Sequence, residues 1–241
     1  MIEQEFIEEL SKLNIILDDD KLNKLERYYE LLVEWNEKMN LTGITEKEQV
    51  YLKHFYDSLT LNKTVDLSKD LSLVDIGTGA GFPGLVLKIV FPNLKITLID
   101  SLNKRIEFLK LVIKELELKD IEAIHTRSEE YGIKNREIFD IATARAVAPL
   151  NILLEYSIPM LKVNGLFIPM KANISQEIIE SVNALSRLDS EIISQIEFEL
   201  PKELSKRTLI KIKKNKPTKI DNDRQTNFEH LLFSKQHTGR E

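Results

Sequence analysis

The phrase Leu73-Val-Asp-Ile-Gly-Thr-Gly-Ala-Gly-Phe-Pro-Gly84 carries glycines at 77, 79, 81 and 84. Glycine has no Cβ, so the chain can turn sharply there and a ligand can approach the backbone closely. Leu73, Val74 and Ile76 read as a short buried strand, and Pro83 opens a helix continuing through Leu85–Val90. The start of that helix presents unpaired N–H groups and positive dipole to the same space. A tight turn without a ligand needs one or two glycines rather than four. Other chemistry-bearing residues fall where further strands should end: Asp75, Asp100, Ser128-Glu129, Arg145 and Lys171. In a parallel sheet, ligands lie outside those carboxyl ends.

The elements that position these groups follow from periodicity. Phe6, Ile7, Leu10 and Leu13 predict a short amphipathic helix, and Asp18-Asp-Asp20 predicts the cap of a longer one. Its apolar positions are Leu22, Leu25, Tyr29, Leu32 and Met39, with Trp35 beside them as a packing residue, and it should stop near Asn40–Gly43. Thr45 and Glu48 predict a capping box for a third helix. On it Val50, His54, Asp57 and Leu61 share a face, where His54 and Asp57 either satisfy one another or the backbone, or face the cofactor. From residue 71 strands alternate with helices. Strands fit Leu94–Ile99, Ile121–His125, Ile138–Thr143 and Leu166–Lys171, with a helix capped by Ser101 and carrying Ile106, Leu109, Val112, Ile113 and Leu116, a helix up to Leu161, and one from Ser175. Ile192–Leu200 and Thr208–Lys213 then predict an antiparallel hairpin. The expected fold is α/β: a mostly parallel seven-stranded sheet with helices on both faces and an antiparallel C-terminal hairpin. A helical extension (1–64) precedes the core (65–214), and 215–241 reads as a polar tail.

Composition narrows the function classes. The 241 residues are 42% hydrophobic and 30% charged with net charge −5, which suits a globular protein and not a uniformly basic nucleic-acid binder. No apolar run reaches the ~18 residues of a membrane span, and the acidic N-terminus lacks a secretory pattern. A cytoplasmic protein without membrane partners is expected. The absence of cysteine removes disulfides, thiolate nucleophiles and thiolate metal sites, and four scattered histidines (54, 125, 230 and 237) predict no metal site. Charge is uneven, however. Lys202, Lys206, Arg207, Lys211, Lys213, Lys214, Lys216 and Lys219 oppose one acid, Glu203, so one face could meet a polyanion. A solvated strand edge kept soluble by lysines is an equal reading of that run.

Two cofactor classes compete for the glycine turn. Gly79–Gly84 is a literal G-x-G-x-x-G, which suggests a dinucleotide. Counted from Gly77, though, the sixth position is Phe82, too large for close helix–strand packing and for approach of a pyrophosphate. From Asp75 the pattern is D-x-G-x-G-x-G, resembling proteins that bind S-adenosylmethionine, whose cationic end matches an acidic strand terminus. Asp100, 23 residues after Gly77, suits ribose hydroxyls. With the terminal hairpin, this predicts a class I S-adenosylmethionine-dependent methyltransferase with a Rossmann-like sheet.

Five phrases together carry a closer resemblance: Trp35-Asn-Glu-Lys-Met-Asn-Leu-Thr42, His54-Phe-Tyr-Asp-Ser-Leu59, the glycine turn from Asp75, Asp100-Ser-Leu-Asn-Lys-Arg105 and Thr143-Ala-Arg-Ala-Val-Ala148. From about residue 5 to 214 the chain resembles the RsmG (glucose-inhibited division protein B) family of small-subunit ribosomal RNA guanine-N7 methyltransferases. The resemblance implies methyl transfer to N7 of one guanosine in the decoding-region loop of 16S RNA, the small ribosomal subunit as partner, and a monomer. It implies cofactor contacts from Gly77, Phe82, Ser128-Glu129 and Arg145, to which the residue reading adds Asp75, Gly79 and Asp100. Guanine N7 needs no general base, so no catalytic acid or base is expected; Arg145 and Lys171 are the candidates for positioning the substrate. A methyltransferase acting on a small molecule, or a non-catalytic module, would share only the cofactor half. The tail departs from the family's basic, proline-closed ending.

Overall fold

The computed structural model describes residues 1–218 apart from Ala146, Asn173 and Leu204. The tail beyond Thr218 lies outside the described residues. Helices α1 (Glu3–Ser11) and α2 (Asp19–Met39) open the chain. The Asp18 carboxylate accepts the Lys21 N–H at 2.9 Å, and Asn40, in the left-handed region at φ 48°, closes α2 as expected. Its buried stripe is Leu25, Tyr28, Leu31 and Leu32; Leu25 and Leu32 are as expected, Tyr29, Trp35 and Met39 pack half-buried against it, and Tyr28 and Leu31 are additions.

A continuous helical stretch over 47–63 follows. It comprises α3 (Lys47–Val50), a π-helical segment (Tyr51–Tyr56), α4 (Asp57–Leu59) and a 3-10 turn (Thr60–Lys63). The predicted Thr45–Glu48 capping box is not formed: Glu46 precedes α3 without a side-chain cap, and the Met1 ammonium donates to the Glu48 carbonyl at 2.7 Å. The extra residue per turn of a π segment rotates the side chains around it, and such segments are frequent at functional sites.

The sheet has seven strands: β1 (Ser72–Ile76), β2 (Lys95–Asp100), β3 (Ile121–His125), β4 (Phe139–Arg145), β5 (Leu161–Lys171), β6 (Ser190–Glu199) and β7 (Lys206–Lys214). Their order is β3-β2-β1-β4-β5-β7-β6, with β7 antiparallel to both neighbours. Helices α5 (Gly84–Val90), α6 (Asn103–Glu115), α7 (Ser128–Lys134), α8 (Leu150–Ser157) and α9 (Ser175–Arg187) connect the strands. Three local expectations are corrected. Arg145 belongs to β4 rather than to the loop after it. β5 begins at Leu161, where its pairing with Phe139 starts before Gly165. The α6 terminus is capped by no side chain, and Ser101 is exposed.

Strand alternation sorts the core into two layers. Leu73, Ile96, Leu98, Ile141 and Leu209 face α5, α6 and the N-terminal helices, while Val74, Ile76, Ile99, Ala142 and Ile210 face α8 and α9. The first layer runs without a break from Phe6 through Tyr28, Phe55 and Phe82 to Phe108. The N-terminal helices therefore share the core of the sheet and press directly on its glycine turn.

Candidate active site

The glycine turn leaves β1 at Ile76. Gly77, Gly79 and Gly81 have φ of 65°, 63° and 104°, which side chains other than glycine rarely adopt. A Cβ on Gly79 would meet nothing within 4 Å, so open space lies beside that residue. At Gly84 a Cβ would strike the Leu98 side chain and come within 2.9 Å of Asp75 Oδ2; this glycine serves close helix–sheet packing.

Asp75 shares the Leu73 face of β1 and so lies beneath the start of α5. Its Oδ2 accepts from Thr78 Oγ1 at 2.6 Å and from the Gly84 N–H at 2.8 Å. Its Oδ1 is buried without a hydrogen-bond partner. Burial disfavours the charged form and raises the carboxyl to about 6. Asp100, at the end of the neighbouring strand, accepts from the Gly79 N–H (2.9 Å), from Arg105 (3.2 Å) and, through Oδ1, from the Leu102 N–H (2.9 Å). One carboxylate thus fixes both the glycine turn and the approach to α6.

Phe82 is buried at the meeting point of two layers. Its ring lies 5.6 Å from Tyr28, 6.2 Å from Phe55 and 4.4 Å from the nearly parallel His54 ring. The Arg145 guanidinium stands 5.1 Å from its centroid, within cation–π range. The Tyr28 hydroxyl donates to the Ala80 carbonyl at 2.5 Å, tying α2 to the turn. Arg145 in turn donates to the Lys53 carbonyl (3.0 Å), to Asp57 Oδ2 (3.2 Å) and to His54 Nδ1 (3.2 Å). Asp57 Oδ1 accepts from Arg207 Nε at 3.1 Å. His54 and Asp57 do not satisfy each other; both are directed to Arg145.

Ser128 and Glu129 open α7, and Glu129 accepts from the Tyr156 hydroxyl at 3.0 Å. The preceding Thr126 N–H donates to the Asp100 carbonyl at 3.1 Å, which draws this segment to the end of β2. Lys171 is placed apart from the Arg145 cluster. It donates to the Ala148 carbonyl (2.6 Å) and to Glu177 (2.8 Å), joining β5 to the loop before α8 and to α9.

The sequence did not single out Tyr28, and it read Arg207 only as one of a basic run. Tyr28 was recoverable, since Leu25, Tyr28 and Leu32 repeat at helical spacing. The basic run itself divides: Lys214 is buried, donating to Glu137 (2.9 Å) and to the Leu161 carbonyl (2.8 Å), Lys216 pairs with Asp189, and Lys206 is exposed. Lys219 lies outside the described residues. Among those residues no group of acidic or histidine side chains is arranged to hold a metal, and no helix is long and apolar enough to cross a membrane.

The 3-2-1-4-5-7-6 sheet with a glycine turn after β1 and carboxylates ending β1 and β2 defines a class I S-adenosylmethionine-dependent methyltransferase. Solved structures agree with this fold: the chain is similar to TrmN from Thermus thermophilus (TM-score 0.53, 13% identity, covering 65% of this chain and 48% of that one). It is likewise similar to an S-adenosylmethionine-dependent O-methyltransferase from Thermotoga maritima (TM-score 0.52, 15% identity, 78% and 72%). The family model for rRNA small subunit methyltransferase G matches residues 21–208, and the chain belongs to that family. It is 51% identical over 215 residues to the ribosomal RNA small subunit methyltransferase G of Geobacillus sp. (87% of this chain, 90% of the relative). The corresponding protein of Exiguobacterium sibiricum is 46% identical over 222 residues (90% and 93%).

S-adenosylmethionine is the cofactor of this enzyme class, and the residues present fit it. Open space adjoins Gly79, and the unpartnered Asp75 oxygen is a group that a cationic amine would satisfy.

Proposed function

We propose that the chain transfers a methyl group from S-adenosylmethionine to N7 of a guanosine in the decoding-region loop of 16S ribosomal RNA, acting in the cytoplasm as a monomer. One observation carries the reading: apart from Asp75, which is fully buried beneath the turn, the titratable groups around the glycine turn are already committed. Asp100 holds the turn, Asp57 holds two arginines, His54 holds Arg145, and Glu129 accepts from Tyr156. None is presented as a free base. Guanine N7 carries an in-plane lone pair and no proton, and so needs none.

The cofactor supplies an electrophilic methyl on a positively charged sulfur. A lone pair that bears no proton would accept that methyl with no proton to remove, so no residue of the chain need act as a base. Catalysis is then alignment of nucleophile, methyl and leaving group. Gly77, Gly79 and Phe82 would line the cofactor side, Asp75 would meet its cationic end, Asp100 its ribose and Ser128-Glu129 its adenine. Arg145 bounds the same pocket and positions the guanine edge, where a cation can hold O6. Lys171 contributes by fixing the loop before α8, and would meet RNA only after leaving Glu177.

The test is incubation of purified protein with labelled S-adenosylmethionine and small subunits or RNA from a strain lacking the enzyme, followed by mapping of the modified base. Label at a guanine N7 in the decoding-region loop is the expected result. Label in a metabolite extract and none in RNA would transfer the reading to a small-molecule substrate.

A further inference from the structure

One turn of the N-terminal helical layer supplies three acceptors to a single guanidinium: the Lys53 carbonyl, His54 Nδ1 and Asp57 Oδ2 all meet Arg145. Lys53, His54 and Asp57 lie on or just after the π-helical segment, at i, i+1 and i+4. We infer that His54 is a positioning residue for the methyl-transfer site, held as the neutral imidazole with its proton on Nε2, so that Nδ1 accepts from Arg145 while the ring braces Phe82.

The argument runs through donors and acceptors. A guanidinium has five N–H donors and no acceptor, so the nitrogen facing Arg145 must be unprotonated. The neutral ring then carries its proton on Nε2, which lies 2.9 Å from Thr42 Oγ1. Thr42 Oγ1 also accepts the Ile44 N–H (3.1 Å), and the Thr42 N–H is held by Asn36 Oδ1 (2.8 Å). The relay from α2 to the site is therefore Asn36, Thr42, His54, Arg145. The rival tautomer would place a proton on Nδ1 and donate to the Lys53 carbonyl, 3.2 Å away. That carbonyl already accepts from Arg145 at 3.0 Å, and the rival would turn an N–H toward a cation.

An imidazolium is excluded for the same reason, since it would set a second positive charge beside a permanent one. Of the groups facing the ring, Arg145 from β4 and the Lys53 ammonium from its own helix disfavour the imidazolium, the Lys53 carbonyl favours it but is outweighed, and Thr42 from the loop before α3 and Phe82 from the glycine turn are neutral. The Asp57 carboxylate is occupied by Arg145 and Arg207. Burial and Arg145 together push the imidazole down to about 3, in agreement with that arrangement.

The consequence for the reaction rests on the cofactor reading given above. Phe82 and Arg145 bound the cofactor side of the pocket, and His54 touches both. Removal of the Nδ1 acceptor frees the guanidinium to turn within the pocket, and a misplacement of about 1 Å is enough to cost about 10²-fold in rate.

Imidazole 15N spectra of the full chain test the state directly, with the His54 signals assigned by their loss in His54→Gln. A neutral ring protonated on Nε2 and unchanged between about pH 5 and 8 is expected. A proton on Nδ1, or titration in that range, would overturn the inference. In turnover, His54→Asn keeps an acceptor near the Nδ1 position and should retain activity within several-fold. His54→Ala should lose about 10²-fold, and His54→Ala with Arg145→Ala should be no worse than Arg145→Ala alone. Equal loss in the Asn and Ala variants, or additive losses, would reject the positioning role. Should wild type label no RNA, the proposed function fails while the 15N spectra still decide the state of His54.

Discussion

The Asp57 carboxylate and the Arg145 guanidinium lie 3.2 Å apart across 88 residues of sequence, with side chains only 5% and 15% exposed. Through its other oxygen the same carboxylate holds Arg207. The Asp57 carboxylate thus sits between two guanidiniums and offsets the repulsion between them. Asp57→Asn is expected to lower stability by about 3 kcal/mol, because it leaves buried cations uncompensated. Urea unfolding checks this; a loss below about 0.5 kcal/mol, the level of a solvated surface pair, would show that the pair holds nothing together.

Asp75 links stability to pH. Its carboxyl is raised to about 6, so native protein retains a proton that the unfolded chain releases in mildly acid solution. Stability from this group therefore falls as pH rises from about 4 to about 6, and the full cost of the buried charge is present above that. Asp75→Asn removes the ionisation and keeps an oxygen for Thr78 and Gly84. Without cofactor it should exceed wild type by on the order of 2 kcal/mol at neutral pH, with the difference vanishing near pH 4. Calorimetric titration should show weaker binding of S-adenosylmethionine by the same variant. A stability difference independent of pH would contradict the burial argument.

Two glycines of the turn should fail in different ways. Gly84→Ala drives a methyl into Leu98 and Asp75 and should cost about 1–3 kcal/mol of stability by overpacking. Gly79→Ala has room for its methyl but must hold a left-handed backbone, at about 1–2 kcal/mol. Because that methyl enters the space beside the turn, Gly79→Ala should weaken cofactor binding more than its melting temperature suggests. Cofactor affinity that tracks stability equally in both variants would remove Gly79 from the pocket.

The basic C-terminal segment is not one surface. Lys214 is buried against Glu137 and the Leu161 carbonyl, whereas Lys206 is exposed at the start of β7. Lys206→Ala should reduce the slope of log affinity for RNA against log salt by about 1. Lys214→Met should leave that slope unchanged. Filter binding across a salt series measures both, and a slope that drops with Lys214 instead would mean that the buried ammonium reaches RNA.

Much of the fold was legible because its signals are local. Short apolar, strand-like runs marked the strands, helical stripes marked α1, α2 and α6, and the glycines with Asp75 marked the turn. The boundaries that failed were those where pairing overrides local chemistry: β5 begins at Leu161 because Phe139 lies beside it, and Thr45 caps nothing. Among the candidate residues, the carboxylates at strand ends stood out from spacing, as did the helical face bearing His54 and Asp57, whereas Phe82 came as a cofactor contact from the family resemblance. What His54 and Asp57 face did not stand out.

The sequence by itself determined the strand–turn–helix at Asp75–Gly84, the alternation that builds the sheet and, through its phrases, the family. Tertiary structure alone decided that Lys171 is held by Glu177, that Lys214 is interior, and that Asp57, Arg145 and Arg207 meet. The reason is the path of the last strand. Because β7 runs opposite to β5, pairing Thr208 with Lys171, its first residues return to the carboxyl ends of the parallel strands. That return, together with the π-helical turn at 51–56, brings Arg207 to Asp57 across 150 residues and Asp57 to Arg145 across 88, distances over which no periodicity in a sequence reports.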